Sequence, residues 1–166
     1  MKRTALPRVL AVMVAASVAG VNAAQAQTAT DTFDVIITIQ ADCEITSTQT
    51  LDFGTVGVLT SNIDEQANIE VTCTPGTDYD VGLDEGTGDG ATITVRRMTG
   101  AGATIDYGLF QDTGRSVNWG NTPPTDTVSD TGTGSVVTHT VYGRVPPQTT
   151  PATGVYNDTI TVTVTF

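Results

Sequence analysis

The feature that most constrains the fold is an alternation of apolar and polar residues in positions 156–166, interrupted only at Asp158. Successive side chains of an extended strand point to opposite faces, so this spacing predicts a strand with one buried face. The residues expected on that face, together with Asp158, are Tyr156, Ile160, Val162, Val164 and Phe166. Because the alternation continues to the final residue, we expect a strand whose outer N–H and C=O groups need a further neighbour.

A second alternating segment covers residues 33–40. The side chains of Phe33, Val35, Ile37 and Ile39 share one face. The other face carries Asp34, Ile36, Thr38 and Gln40. The pattern alone fits two structures equally, an ordinary first strand of the domain or a strand offered to another molecule.

The region between these segments predicts short strands separated by turns. Strands are expected around Leu51 and Phe53 and over residues 69–73, 79–83, 92–98, 105–110 and 136–142. Turns or loops rich in Gly, Pro, Thr and Asp are expected at residues 84–90, 100–102, 120–134 and 146–154. Threonine, valine and isoleucine are abundant, whereas runs of good helix formers are missing after residue 26. The fold class predicted is an all-β antiparallel sandwich of one domain.

The N-terminus has the organisation of a secretory signal peptide. Lys2, Arg3 and Arg8 precede an apolar run over residues 9–21, and Ala24-Gln25-Ala26 forms a small-residue cleavage site. The run is shorter than the ~20 apolar residues that a membrane-spanning helix needs. We therefore predict that residues 1–26 are removed and that the exported chain of residues 27–166 is not inserted in a membrane.

The charge of the exported chain excludes several function classes. Removal of residues 1–26 leaves four arginines and no lysine against 18 carboxylates, a formal charge of −14. Such a surface repels phosphate backbones and anionic lipid, so we expect no nucleic-acid partner. The missing lysine also excludes Schiff-base chemistry and lysine general bases.

Cys43 and Cys73 are the only two cysteines. In a chain that reaches an oxidising compartment, we expect them to form a disulfide. Redox or metal chemistry would need Cys-x-x-Cys spacing or additional ligands, and neither is present.

The other candidate sites are weak, and we predict no enzyme activity, no metal and no cofactor. His139 alternates with Val137 and Val141 and is expected to be a packed or partly exposed strand residue rather than a ligand. The acidic, glycine-rich residues 84–90 lack the ligand spacing of a twelve-residue calcium loop and predict a solvated hairpin turn. Trp119 is expected in the core or anchoring a loop, although a contact with sugar remains an alternative.

Motifs along the whole exported chain resemble the spore coat protein U domain family, which includes subunits of archaic chaperone-usher pili. The motifs are Cys43, Leu51-Asp52-Phe53-Gly54, Val71-Thr72-Cys73, Tyr79 to Leu83 with Gly86, Arg97-Met98, Ile105-Asp106-Tyr107 with Leu109 and Asp112, Trp119-Gly120, Tyr142-Gly143, and Gly154-x-Tyr156-x-Asp158 leading into Val162-x-Val164-x-Phe166.

The resemblance implies an incomplete immunoglobulin-like sandwich, formed by residues 42–166, that lacks its last strand. The N-terminal extension, residues 27–41, would supply that strand to a neighbour through Phe33, Val35, Ile37 and Ile39, which is donor-strand complementation. Repetition would give a surface fibre for adhesion and biofilm formation, because donor and acceptor surfaces differ.

The resemblance also implies two assembly partners besides copies of this chain or related pilins. A periplasmic chaperone would cover the acceptor groove and pair with the terminal strand at Tyr156, Ile160, Val162, Val164 and Phe166, and an outer-membrane usher would replace it. Export through the periplasm to the cell surface follows. The alternatives are a secreted carbohydrate-binding β-sandwich, either a lectin or a tip adhesin, and another surface or spore coat protein.

Overall fold

A computed structural model describes residues 25–166, so almost all of the predicted signal peptide lies outside the described residues. The described chain contains eight β-strands and no helix. The strands are β1 (Cys43–Thr48), β2 (Ile63–Cys73), β3 (Asp78–Leu83), β4 (Arg96–Gly100), β5 (Ala103–Phe110), β6 (Val128–Thr131), β7 (Val136–Val145) and β8 (Val162–Thr165). No helix in this part of the chain is long and apolar enough to cross a membrane.

The strands form two sheets in which every pairing is antiparallel. The larger sheet has the order β1-β2-β7-β5-β4, and the smaller has the order β6-β3-β8. The longest ladder joins β2 and β7, from Ile63 opposite Val145 to Thr72 opposite Val136. The predicted all-β antiparallel fold is therefore confirmed.

The core lies between the inner faces of the two sheets. In β2, buried residues alternate with partly exposed ones from Ala67 to Cys73, as the period of two requires. The core residues are Leu59, Ile69, Val71, Cys73, Tyr79, Val81, Leu83, Tyr107, Leu109, Trp119, Val141 and Val145.

Two large buried side chains fasten the loop after β5 to β3. The indole of Trp119 is buried and its Nε1 donates to the Val81 carbonyl at 2.8 Å, which confirms the predicted anchoring role. Arg96 is fully buried, and its guanidinium donates to the carbonyls of Leu83, Asp84, Ile93 and Trp119 at 2.7–3.0 Å. Burial lowers the pKa of Arg96 from its ordinary value, but four carbonyl acceptors hold the charge in place.

The predicted strands were wrong at several positions. Residues around Leu51 and Phe53 form no strand, and the strand predicted over 92–98 starts only at Arg96. Strands β1 and β6 were not predicted, and β6 lies inside the loop predicted at 120–134. Both are edge strands of mainly polar residues, so neither shows the apolar alternation of a strand with a buried face.

The terminal strand is shorter than its sequence pattern indicates. A ladder with β3 forms only over Val162–Thr165, where Val162 lies opposite Leu83 and Thr165 opposite Asp80. Burial nevertheless alternates from Tyr156 to Val164, with the predicted inner residues half-buried and their neighbours exposed. Phe166 departs from the prediction because it is exposed.

Candidate functional site

An open apolar groove runs along one side of the sandwich. It consists of two adjoining cavities of about 660 Å³ and about 510 Å³, which share the residues Leu51, Asp52, Phe53, Met98 and Tyr156. The floor is the inner face of the larger sheet. The floor residues are Ala67, Ile69, Ile105, Tyr107, Leu109, Val141 and Val145.

The first wall of the groove is residues 48–59, which connect β1 to β2 and place Leu51 and Phe53 against Gly143 of β7. Leu51 and Phe53 turn inward and are half-buried, while the residues from Gly54 to Val58 are exposed. Gln49 donates its amide to the Asn68 carbonyl, and the Leu59 carbonyl accepts from Gln148. Within the described chain, no backbone group of residues 50–58 forms a backbone-to-backbone hydrogen bond. Apart from the Gly54 amide, which donates to the Asp52 carboxylate, this wall therefore presents free backbone donors and acceptors beside an apolar floor.

The second wall is residues 156–162, and it places Tyr156, Ile160 and Val162 on the groove. β8 pairs with β3 along one edge, and in residues 25–166 no strand pairs along its other edge. Both walls thus expose unpaired backbone to the same groove. Because an extended chain carries one donor and one acceptor per residue, this arrangement suits an added β-strand.

Side-chain carboxylates hold the second wall in place before its ladder begins. Asp158 accepts from the amide and hydroxyl of Thr87 at 2.8 Å each, and from the Tyr107 hydroxyl at 2.8 Å. Asp84 accepts from the Thr161 amide at 2.9 Å. One backbone bridge joins residues 99 and 157. Partial burial on its own would raise the pKa of Asp158, but the hydrogen bonds from Thr87 and Tyr107 outweigh it and the pKa lies below its ordinary value.

Comparison with known proteins identifies the family. The family model of the spore coat protein U domain matches residues 29–163. The chain belongs to this family. The curated Protein U of Myxococcus xanthus is 34% identical over 173 residues, which cover 95% of this chain and 96% of that protein.

A solved structure with the same kind of fold adds a second comparison. It is the CsuC-CsuE chaperone-tip adhesion subunit pre-assembly complex from archaic chaperone-usher Csu pili of Acinetobacter baumannii. One of its chains matches with 27% identity and a TM-score of 0.57, over 78% of this chain. The match covers 40% of that longer chain, so the two proteins correspond over one part of it.

The predicted disulfide of this spore coat protein U domain is present between Cys43 and Cys73. The two residues lie directly opposite each other, where β1 begins and β2 ends. Next to them, Asp42 and Thr74 exchange hydrogen bonds of 3.0 and 3.1 Å. The start of β1 is therefore fixed to β2 immediately after the N-terminal extension.

The N-terminal extension forms no strand in the described chain before β1. Phe33, Val35, Ile37 and Ile39 are 87%, 86%, 82% and 72% exposed, and the outward residue Ile36 is 82% exposed. Isolated apolar residues on a surface are common, but five within seven positions are an exposed apolar segment that calls for a binding partner. The donor role of this segment stays a prediction.

The remaining residues considered as candidate ligands occupy structural positions. His139 is buried and its Nε2 lies 3.0 Å from the Tyr79 hydroxyl, so the predicted packed position is confirmed. Residues 84–90 form a loop between β3 and β4, which lie in different sheets, so the hairpin turn predicted there was wrong. In residues 25–166 no group of three or more His, Cys, Asp or Glu side chains could hold a metal ion.

All four arginines of residues 27–166 are used within this part of the chain. Arg96 binds backbone carbonyls, Arg97 pairs with Asp106 at 3.0 Å, and Arg115 and Arg144 both pair with Asp64 at 3.4 and 2.7 Å. A basic patch for nucleic acid would need clustered cations that face the solvent.

Sequence reasoning found most of the groove residues but not their arrangement. Leu51 and Phe53 were expected in a strand and instead line an unpaired wall, and Tyr156, Ile160 and Val162 were expected inward and do face the groove. The structural role of Asp158 was not predicted from the sequence. The signal was its place among apolar residues on the inward face, where a carboxylate needs specific donors.

Proposed function

We propose that this chain is a structural subunit of a chaperone-usher pilus, whose groove accepts the N-terminal extension of a second copy or of a related pilin. The observation that carries the proposal is the open apolar groove between two walls with unpaired backbone. The same chain has an extension whose apolar face is exposed and alternates as a groove-filling strand should. The proposed work is mechanical joining and requires no catalytic step.

The energy available is sufficient for a persistent joint. Burying four side chains of this size gives about 6–12 kcal/mol before ladder hydrogen bonds and ordering costs are included. A contact between an extension and a groove is heterologous and does not close on itself, so repetition builds a fibre. Adhesion and biofilm formation are the roles we infer for such a fibre at the cell surface.

The proposed partners follow from the exposed groove. An apolar groove with free strand edges aggregates unless it is covered, so a periplasmic chaperone holds the subunit and pairs with residues Tyr156 to Phe166. The similar solved structure contains a chaperone with a pilus subunit, which supports this partner. An outer-membrane usher then exchanges chaperone for extension, and the signal peptide directs the chain to this route.

Deletion of residues 27–40 tests the proposal. We expect the truncated subunit to be recovered with its chaperone as a monomer that accepts an extension but cannot donate one. Added to the intact subunit, it should shorten fibres in proportion to its fraction. The matched control keeps the length of the extension but replaces Phe33, Val35, Ile37 and Ile39 by serine, and it should behave like the deletion. Fibres of normal length from either variant alone would refute the proposal.

A further inference from the structure

The two walls of the groove are connected across its floor by one side chain, Tyr107. On one side its ring lies edge-on against the Phe53 ring of the first wall, with centroids 6.2 Å apart. On the other side its hydroxyl donates to Asp158 of the second wall at 2.8 Å. The separation of the walls is therefore set through the contact between Tyr107 and Asp158.

Asp158 is also the point at which the second wall is attached to the loop after β3. Its other carboxylate oxygen accepts both donors of Thr87. Gly86 lies against the carboxylate with a φ of +82°, and a Cβ at this position would collide with Asp158. The loop is thus shaped to receive the carboxylate at a glycine.

An empty apolar groove tends to close, because closing removes its lining from water. Before the ladder with β3 begins at Val162, the backbone of the second wall is held by the bridge between Asn157 and Thr99 and by the hydrogen bond from the Asp84 amide to the Thr161 carbonyl. Without the contacts of Asp158, the segment between these two attachment points is free to move into the groove and to pack Ile160 onto the floor.

We propose that Asp158 is a positioning residue that keeps the empty groove open for an incoming strand. This inference rests on the proposed function of the groove. The role of Asp158 is to preorganise the groove: its carboxylate raises the fraction of subunits whose groove is open. The donor strand need not contact Asp158. A strand that binds only the open form associates at a rate proportional to that fraction, whereas its dissociation is unaffected.

The test compares Asp158→Ala with Asp106→Ala in residues 27–166 carrying the serine-substituted extension described above, so that the chain's own extension does not compete for the groove. Asp106 is the neighbouring carboxylate in sequence to Tyr107 and forms a half-exposed ion pair with Arg97, and it does not line the groove. The probe is a fluorescent peptide of residues 27–41, added to dilute protein. Anisotropy gives the association and dissociation rate constants, and the emission of buried Trp119 reports whether the core is intact.

For Asp158→Ala we expect association at least tenfold slower, dissociation within twofold of the original protein, and unchanged Trp119 emission. Asp106→Ala should alter neither rate. Tyr107→Phe removes one hydrogen bond and keeps the ring contact with Phe53, so its association rate should be intermediate. If Asp158→Ala fails to fold, Tyr107→Phe decides the question.

Unchanged association in these variants, or a slowing matched by Asp106→Ala, would overturn the inference and leave the proposed function standing. A slowing accompanied by an exposed Trp119 in both groove variants would assign Asp158 to general stability and also overturn it. If the original protein takes up no peptide, the proposed function fails, and this inference fails with it.

Discussion

Adjacent isoleucines in the extension offer a direct test of which face enters the groove. Ile36 and Ile37 have the same side chain and are each 82% exposed, but they point to opposite faces of an extended segment. We expect Ile37→Asp to weaken subunit association strongly and Ile36→Asp to leave it nearly unchanged. The two variants have identical composition and charge, so only the face differs.

The magnitude follows from the environment that each side chain enters. Burying Ile37 in the groove contributes about 2 kcal/mol, which the substitution removes. An aspartate there must lose its charge, and neutralising a carboxyl of ordinary pKa at pH 7 costs about 4 kcal/mol more. The sum of about 6 kcal/mol corresponds to roughly 10⁴-fold in Kd, and a lower limit of about 10³-fold allows for slippage of the strand. For Ile36→Asp, whose side chain stays in water, we expect less than about threefold.

Sedimentation velocity of the exported chain over a range of concentrations measures the association of each variant. Lowering the pH towards 4 should partly restore association of Ile37→Asp, because its carboxyl becomes neutral, and should not help Ile36→Asp. Equal losses in the two variants, or a larger loss in Ile36→Asp, would show that the assigned face is wrong.

Three further substitutions test the structure around the groove. Replacing both Cys43 and Cys73 by serine should lower the free energy of unfolding by about 3–4 kcal/mol in denaturant titrations, because the bond closes a loop of about thirty residues. Arg96→Ala should cost at least about 4 kcal/mol in the same assay, since it removes four hydrogen bonds to buried carbonyls. Burial lowers the pKa of His139, so the unfolded state binds a proton first and stability should fall as pH drops below about 6.5, a slope that His139→Gln abolishes.

Strands with one buried face could be predicted from the sequence because burial leaves a period of two. The alternation predicted the positions of β3, β5 and β7, and of the C-terminal half of β2. β1 and β6 could not be predicted, because an edge strand with polar side chains has the composition of a loop. Their positions are set by their neighbours: β1 follows β2 from the disulfide onward, and β6 follows β3.

The two consecutive arginines show why chemistry at the site is harder to predict than the strands. Arg96 and Arg97 are identical in sequence terms, yet Arg96 lies inside the sandwich on four carbonyls and Arg97 forms a surface ion pair with Asp106. The difference is the face of β4 on which each falls. That face depends on where β4 begins, and the alternation before residue 96 placed its start four residues too early.

The terminal segment has the sequence pattern of a strand along its whole length. A neighbouring strand within this chain pairs with only part of it. Residues 162–165 pair with β3, but β3 ends at Leu83, and the backbone of residues 156–161 has only the bridge between Asn157 and Thr99 of β4 and a hydrogen bond from the Asp84 amide to the Thr161 carbonyl as backbone-to-backbone contacts. Alternating burial nevertheless continues back to Tyr156, which is the pattern of a strand. The amides of Asn157, Thr159 and Thr161 already donate hydrogen bonds within the described chain. We therefore expect the amides of Tyr156, Asp158 and Ile160 to acquire strand hydrogen bonds when an extension enters the groove. Their hydrogen exchange, measured with and without the peptide of residues 27–41, should slow on binding while that of β6 stays unchanged.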